Sequence, residues 1–468
     1  MQIDFAALDA AIKLRVEKKK LPGVAVCLRG PDGIVFSKGY GYCDGRKTRP
    51  VNDDTVFGIA SMSKSTATLA LCILAAEGKF SFDDPVVKYF PKFSVPGNPP
   101  ESVLIRHLAM HTAGIPPLET LEWSILMNTP SITGEFADKM RAIAPNKMET
   151  IDEIIEYVAA GKHPTVGMPG EHMSYSNDDY AILCYIFDKA AGETLESFLA
   201  RRVFAPLGMT RTVLDDDAVS AHEIAGGNIS ELFEERDGKI VSDEHWETMP
   251  PFRACAQVKS TVKDMARYYQ CLSNYGMLEG KQLIPKEAVE LLCGKQFPLQ
   301  KRPFYCYGLY KQKFMDHAVC YHSGGLHGIS THGGFLLGEG VSFASFSNIG
   351  SADTDDIDYL MLNAYLGLPL ETSHEWLLPK EGALADPSCL IGRFVGYEEW
   401  PEVITFDVKD GKITADKDGN PYELVWAGGT WFLAYRNGEL QTRLHVEVRD
   451  GKAWGVRTGS RVFMREDA

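Results

Sequence analysis

Over the first twenty residues apolar side chains return every three or four positions, at Phe5, Leu8, Ile12 and Val16. That period is helical and lays one apolar stripe along a helix face, so the chain is expected to open with an amphipathic helix. The pattern then shortens. VAVCLRG and IVFSKGYGY are rich in β-branched and aromatic residues and flank Gly30-Pro31-Asp32-Gly33, which predicts two strands around a tight turn. Gly39-x-Gly41 does not open a helix, so it reads as part of this hairpin and not as a nucleotide loop. From Ser61 to Glu77 the chain is Ala- and Leu-rich with helical spacing, and Gly78 is placed to stop it. A mostly helical middle is expected from Leu104 to about Leu207, containing an irregular stretch, Ile115 to Gly170, rich in Pro, Met and Thr. Strand patterns return from Tyr321 to Asn348.

Near residue 370 the texture changes. Pro369, Pro379 and Pro387 punctuate a linker expected over 369–386, separating a larger domain, 1–368, from a final domain, 387–468. In the latter, short strands such as FDVKDGKITA, TWFLAYRNGEL and LHVEVRDGKAWGV are joined by Asp-Gly and Asn-Gly turns. Such spacing predicts a small antiparallel barrel or sandwich. The length of 468 residues suits two or three domains of ~100–200 residues each.

Charge narrows the partners. The net charge is −15, and the one dense basic run, Lys18-Lys19-Lys20, falls on the first helix, where a solvated face explains it. Nucleic acid and anionic membrane are therefore not expected as partners. No apolar run approaches the ~20 residues that span a bilayer, and the N-terminus lacks a basic-then-apolar leader, so a cytoplasmic location is expected. Ten cysteines form no Cys-x-x-Cys pair, and Cys72, Cys184 and Cys271 lie in apolar helical patterns, as small hydrophobes in a reducing compartment would.

Three clusters can carry chemistry. Ser61-x-x-Lys64 places an amine one helical turn from a hydroxyl, near a helix N-terminus whose field favours developing negative charge. Ser260-Thr-Val-Lys263 has the same spacing, but there Ser260 precedes a helix and an N-cap role accounts for it. Tyr175-Ser176-Asn177 offers a phenol that a nearby cation would help to ionise, and an amide with both donor and acceptor; the same segment is expected to cap the helix that follows. His322-Ser323-Gly324-Gly325 places two glycines in a strand, where another backbone can come close. Other sets fare poorly. His107 and His111 lack the glutamate of a His-Glu-x-x-His zinc helix, His322 and His327 would face opposite sides of a strand, and Asp353 to Asp358 reads as a solvated turn and not as a calcium loop. No metal and no cofactor are expected.

Taken together, SMSK, YSN and HSG in this order resemble the serine β-lactamase and penicillin-binding-protein superfamily, whose pattern is Ser-x-x-Lys, Tyr-x-Asn, Lys/His-x-Gly. The branch containing class C β-lactamases, D-stereospecific aminopeptidases, DD-peptidases and related esterases is the most similar. VFGIASMSK, LAMHTAGIP, MPGEHMSYSN, PLGMTRT and HSGGLHG support it, and the resemblance runs from about residue 5 to 350. It implies an α+β fold, an antiparallel sheet flanked by helices, followed by the all-β barrel-like domain. It also implies roles: Ser61 as the acylated nucleophile, Lys64 and Tyr175 moving its proton, and Asn177 orienting the acyl side chain. His322, Ser323 and Gly324 would line the cleft, and the N–H groups of Ser61 and Gly325 would hold the oxyanion. His111 looks structural.

The expected reaction is cofactor-independent hydrolysis of small peptides, amides or esters through an acyl-enzyme. Histidine at position 322, where class C β-lactamases usually carry lysine, weakens the pull on a drug carboxylate and tilts the reading away from β-lactams. An acyltransferase sharing the first half-reaction, a β-lactamase, and a non-catalytic scaffold are the alternatives. Ile115 to Gly170, with Trp123, Met127 and Met140, is expected to roof the cleft. Covering the active-site mouth, homo-oligomer formation and simple stabilisation are the roles open to the C-terminal domain.

Overall fold

In a computed structural model, residues 3–466 are described apart from 217, 244, 300–302, 385 and 399. The chain divides into two units that interleave along the sequence: Met1–Phe82 with Tyr180–His374, and Asp83–Asp179 with Glu375–Ala468.

In the first unit the predicted hairpin forms as β1 (Gly23–Gly30) and β2 (Gly33–Gly41). Gly39 permits the backbone at Val51 to cross it: a Cβ there would stand 2.2 Å from the Val51 carbonyl oxygen. The later strands are β3 (Phe297–Pro298), β4 (Phe304–Tyr305), β5 (Tyr310–Phe314), β6 (His317–Leu326), β7 (Ile329–Leu336) and β8 (Val341–Ser347). With the hairpin they make one antiparallel sheet in the order β3-β4-β5-β6-β7-β8-β1-β2.

The longer helices are α1 (Phe5–Lys18), α2 (Ser63–Ala76), α3 (Asn177–Ala191), α4 (Val262–Ser273) and α5 (Thr354–Leu366). Leu8, Ile12 and Val16 of α1 are buried with Val24, Val26 and Leu28 of β1, Phe343 of β8, and Ile357, Leu360 and Met361 of α5. The fourth member of the α1 stripe, Phe5, stays exposed and stacks on Phe36, ring centroids 6.3 Å apart. On its other face the sheet meets α4 through polar stitches as well as packing. Ser342 Oγ donates to the Ala266 carbonyl at 2.6 Å, and Gln270 links Arg29 Nε (2.9 Å) to the Gly30 carbonyl (2.6 Å).

Two local expectations are corrected here. The cap of α4 is Thr261, whose Oγ1 accepts from the Asp264 N–H at 3.1 Å, while Ser260 ends the short strand Val258–Ser260 with its hydroxyl 2.7 Å from Thr212. With hydroxyls at consecutive positions, the residue that leaves the strand becomes the cap. The acidic run Asp353–Asp358 is no turn: Asp355 and Asp356 fall in the first turn of α5, where carboxylates suit the helix dipole. Asp358 is buried, bonded to His332 Nδ1 at 2.8 Å and to Ser345.

The second unit also departs from expectation between 115 and 170, which contains three short helices, Thr120–Asn128, Glu135–Ile143 and Ile151–Ala160. The last is set by a capping box in which Thr150 Oγ1 accepts from the Glu153 N–H and Glu153 returns the bond at 2.8 Å. Trp123 turns inward, edge-on to Tyr157 with centroids 5.2 Å apart, so it fills a core.

The C-terminal strands β9 (Gly392–Gly396), β10 (Glu402–Lys409), β11 (Lys412–Lys417), β12 (Asn420–Trp426), β13 (Trp431–Arg436), β14 (Glu439–Arg449), β15 (Lys452–Thr458) and β16 (Arg461–Arg465) form a closed barrel. Closure comes from β9 pairing with β16, Phe394 opposite Arg465. Asp410-Gly411, Asp418-Gly419, Asn437-Gly438 and Asp450-Gly451 all have positive φ at both positions, the backbone that a right-twisted two-residue hairpin requires. Phe394, Phe406, Phe432, Leu444 and Val456 fill the interior.

The ten cysteines are free, and only Cys389 is partly exposed. No described helix is long and apolar enough to cross a membrane. Because Ile12 is fully buried between α1 and the sheet, Ile12→Ala is expected to lower stability by about 2–4 kcal/mol. Urea unfolding checks this, and a loss under about 0.5 kcal/mol would show that α1 adds little to the core.

Candidate active site

The helical pattern at Ser61 is realised in two steps. A 3₁₀ turn, Ala60–Met62, feeds into α2, so Ser61 stands on the tight turn and not in the helix proper. Ala60 has φ +44°, a left-handed conformation that costs a non-glycine residue roughly 1–2 kcal/mol and persists only when its surroundings hold it. Those surroundings are visible. Ile59 N–H donates to the Val258 carbonyl at 3.0 Å, and Ser63 Oγ donates to the Ala60 carbonyl at 2.6 Å while accepting from the Val258 N–H at 3.1 Å.

Ser61 is half-buried, whereas Lys64, one turn on, is completely buried. Its Nζ donates to Ser61 Oγ at 3.1 Å and to the Cys255 carbonyl at 3.3 Å, and lies 5.4 Å from the centroid of the Tyr180 ring. An ammonium in such a place costs several kcal/mol of lost hydration, offset by these contacts. The result is an amine fixed against a hydroxyl, the arrangement that activates a serine.

Strand β6 carries the glycine pair. Its residues alternate: His322 and Gly324 are buried, Ser323 and Gly325 are exposed. A Cβ on Gly324 would stand 2.3 Å from the Ile59 carbonyl oxygen, so only glycine lets the turn before Ser61 lie against this strand. Thr331 of β7 locks the same carbonyl with a 3.0 Å bond. At Gly325 nothing lies within 4 Å of where a Cβ would be, so the strand meets open space there.

His322 turns inward. Its Nε2 is 3.3 Å from the Tyr305 hydroxyl, and burial, followed by the charge of Lys64, pushes the imidazole down to about 3. It is a neutral ring beneath the strand, without the positive charge that a lysine would bring.

Tyr175 and Asn177 belong to the second unit. His111, itself at φ +55°, organises their loop: its carbonyl accepts from the Ser174 N–H at 2.9 Å, and its Nδ1 accepts from the Ser176 N–H at 3.2 Å and lies 3.1 Å from Asp179. The imidazole packs on Tyr175, centroids 4.3 Å apart, consistent with its structural reading. On the other side come residues that sequence reasoning missed. Tyr175 N–H donates to the Ser460 carbonyl at 2.9 Å, the Arg461 guanidinium lies 4.8 Å from the Tyr175 ring centroid, and Asn177 Nδ2 donates to Glu398 at 3.2 Å. No local pattern marks these three; they come from the barrel, more than two hundred residues downstream.

Of the residues singled out in the sequence, Ser61, Lys64 and the strand His322 to Gly325 thus lie in one unit, and Tyr175 and Asn177 in the other with His111, Glu398 and Arg461.

Comparison with known proteins adds identity. A family model described as Beta-lactamase matches residues 8–366. Penicillin-binding protein 4* of Bacillus subtilis (strain 168) is 27% identical over 264 residues, 55% of this chain and 53% of the relative, so the match spans about half of that protein's length. Among solved structures, the octameric penicillin-binding protein homologue from Pyrococcus abyssi has a TM-score of 0.68 at 21% identity, over 99% of this chain and 100% of that one. A D-stereospecific amidohydrolase from Streptomyces sp. has a TM-score of 0.62 at 21% identity, over 78% of this chain and 100% of its own. At these identities the structural likeness is one of fold: an antiparallel sheet with helices and, over the fuller match, a barrel. Since the family model covers most of the chain and contains the Ser61–Lys64 turn just described, this chain belongs to the β-lactamase family.

Proposed function

We propose that the chain is a serine hydrolase acylated on Ser61, acting on small peptide, amide or ester substrates, with D-configured residues preferred. The observation that carries this reading is the buried Lys64 amine donating to a half-exposed Ser61 hydroxyl. In the proposed reaction Ser61 Oγ attacks the substrate carbonyl while its proton passes to Lys64 in its uncharged form or to Tyr175 as the phenolate. The N–H groups of Ser61 and Gly325 hold the oxyanion, a service worth about 10²–10³ in rate for one such donor. Collapse expels the amine or alcohol, which takes the proton, and water then releases the acid.

Support for joining Tyr175 and Asn177 to Ser61 comes from the order of the three motifs and from family membership. The preference for D-residues draws on the amidohydrolase whose fold this chain shares. The neutral His322 favours amides and esters over β-lactams, because nothing at that position supplies a fixed cation for a carboxylate.

Intact-protein mass after incubation with a penicillin, a p-nitrophenyl ester and a fluorophosphonate tests the nucleophile. One adduct is expected on the wild type and none on Ser61→Ala, whose ester turnover should fall at least ~10³-fold. Equal labelling of both proteins would assign the nucleophile elsewhere, and no labelling of a folded wild type would favour the scaffold reading. The ranking of reagents and the decay of each adduct separate β-lactam, ester and amide chemistry.

The state of His322 is tested through stability. As pH falls below about 6.5 the unfolded chain binds a proton that the folded chain refuses until about pH 3, so acidification destabilises the fold. Between pH 7.5 and 5.0 the wild type is expected to lose about 2 kcal/mol more than His322→Gln does in urea unfolding. Equal losses would mean that the imidazole is charged in the folded protein.

A further inference from the structure

Within the second unit, the barrel touches the Tyr175–Asn177 motif from several directions at once. Strands β15 and β16 and their connection lie along residues 173–177: Arg457 donates to the Met173 carbonyl, Ser460 accepts from the Tyr175 N–H at 2.9 Å, and the Val462 N–H donates to Ser174 Oγ at 3.1 Å. Arg457 is itself held by Glu447 at 3.2 Å, both buried. Above this backbone seam sit two charged side chains. Arg461 lies over the Tyr175 ring and is paired with Glu398, which accepts from Asn177 Nδ2 at 3.2 Å.

A seam of backbone bonds is enough to hold a loop. The Glu398–Arg461 pair adds chemistry that a simple clamp does not need. A carboxylate only accepts, so it selects the nitrogen of the Asn177 amide and fixes which way the oxygen points; an amide lacking such a partner can turn over. A planar guanidinium over the Tyr175 ring, 4.8 Å from its centroid, restrains that ring's tilt.

We propose that Glu398 and Arg461 are positioning residues for acyl transfer, with the barrel setting the orientation of Asn177 and of Tyr175. The inference rests on the acyl-enzyme reading above, in which Asn177 orients the substrate's acyl side chain. Under it, the barrel governs which acyl groups are used without touching the reacting atoms. Substrates whose acyl part carries an amide depend on the Asn177 orientation; an acyl part with no such group does not.

The test compares two esters with one leaving group, p-nitrophenyl acetate and the p-nitrophenyl ester of N-acetyl-D-alanine, on the full chain. Glu398→Gln keeps the shape but can donate as well as accept. It is expected to lower kcat/KM for the N-acetyl-D-alanyl ester by at least about tenfold, while acetate changes by less than about threefold. Glu398→Asp should restore part of the difference. Arg461→Lys, which keeps the charge and loses the plane, is expected to show the same split, and it carries the comparison if Glu398→Gln does not fold. Equal falls on both esters would reduce the pair to a structural clamp, and no change on either would remove it from the reaction. Both results overturn the inference while Ser61 labelling of the wild type stands. Absence of that labelling overturns the underlying reading instead.

Discussion

The turn that presents Ser61 depends on one close approach, between the Ile59 carbonyl and strand β6 at Gly324, where any side chain would collide at 2.3 Å. With that contact made, Thr331 bonds the same carbonyl, Ala60 is held at positive φ, and Ser63 ties the turn to the short strand beginning at Val258. The turn at Ser61 is therefore held on both sides by backbone, one strand carrying the glycine pair and the other leading to α4. Its position is inherited from the sheet and owes little to its own rotamer. A site referenced to a sheet is more precise than one borne on a free loop.

The same region buries a lysine. Lys64 has no exposure, and its contacts include a hydroxyl, a carbonyl and an aromatic face. Burial first, and the charge of Lys64 after it, hold the His322 imidazole well below its ordinary range. Around Tyr175, in the second unit, the Arg461 cation is matched by Glu398.

Much of this was legible in the sequence because it is local. The α1 stripe, the β1–β2 hairpin, the Asp-Gly and Asn-Gly turns and the Ser61–Lys64 spacing each follow from neighbours within a few positions. Errors arose where two local signals competed. Ser260 and Thr261 can both cap α4, and the strand decided between them. The acids at 353–358 read as a solvated turn although acids also mark the first turn of a helix, and Asp358 proved to be a buried partner of His332. The helices between 115 and 170 are short and broken by Pro and Gly, so their period is hard to see. The contacts of Glu398, Ser460 and Arg461 with the Tyr175 loop were out of reach, because no periodicity or turn chemistry reports on a partner more than two hundred residues away.

The interleaving of the two units has a consequence for synthesis. Residues 83–179 emerge from the ribosome long before 375–468, yet the Tyr175 backbone finds its partner only at Ser460, and Val166 packs with Val462 and Met464. At roughly 5–20 residues per second the loop waits many seconds, exposed, for the last strand to arrive. A chain that stops before that strand lacks the Ser460 and Val462 partners of the Tyr175 loop. The settled form of residues 173–177 thus waits on β16, almost the last segment of the chain to be made.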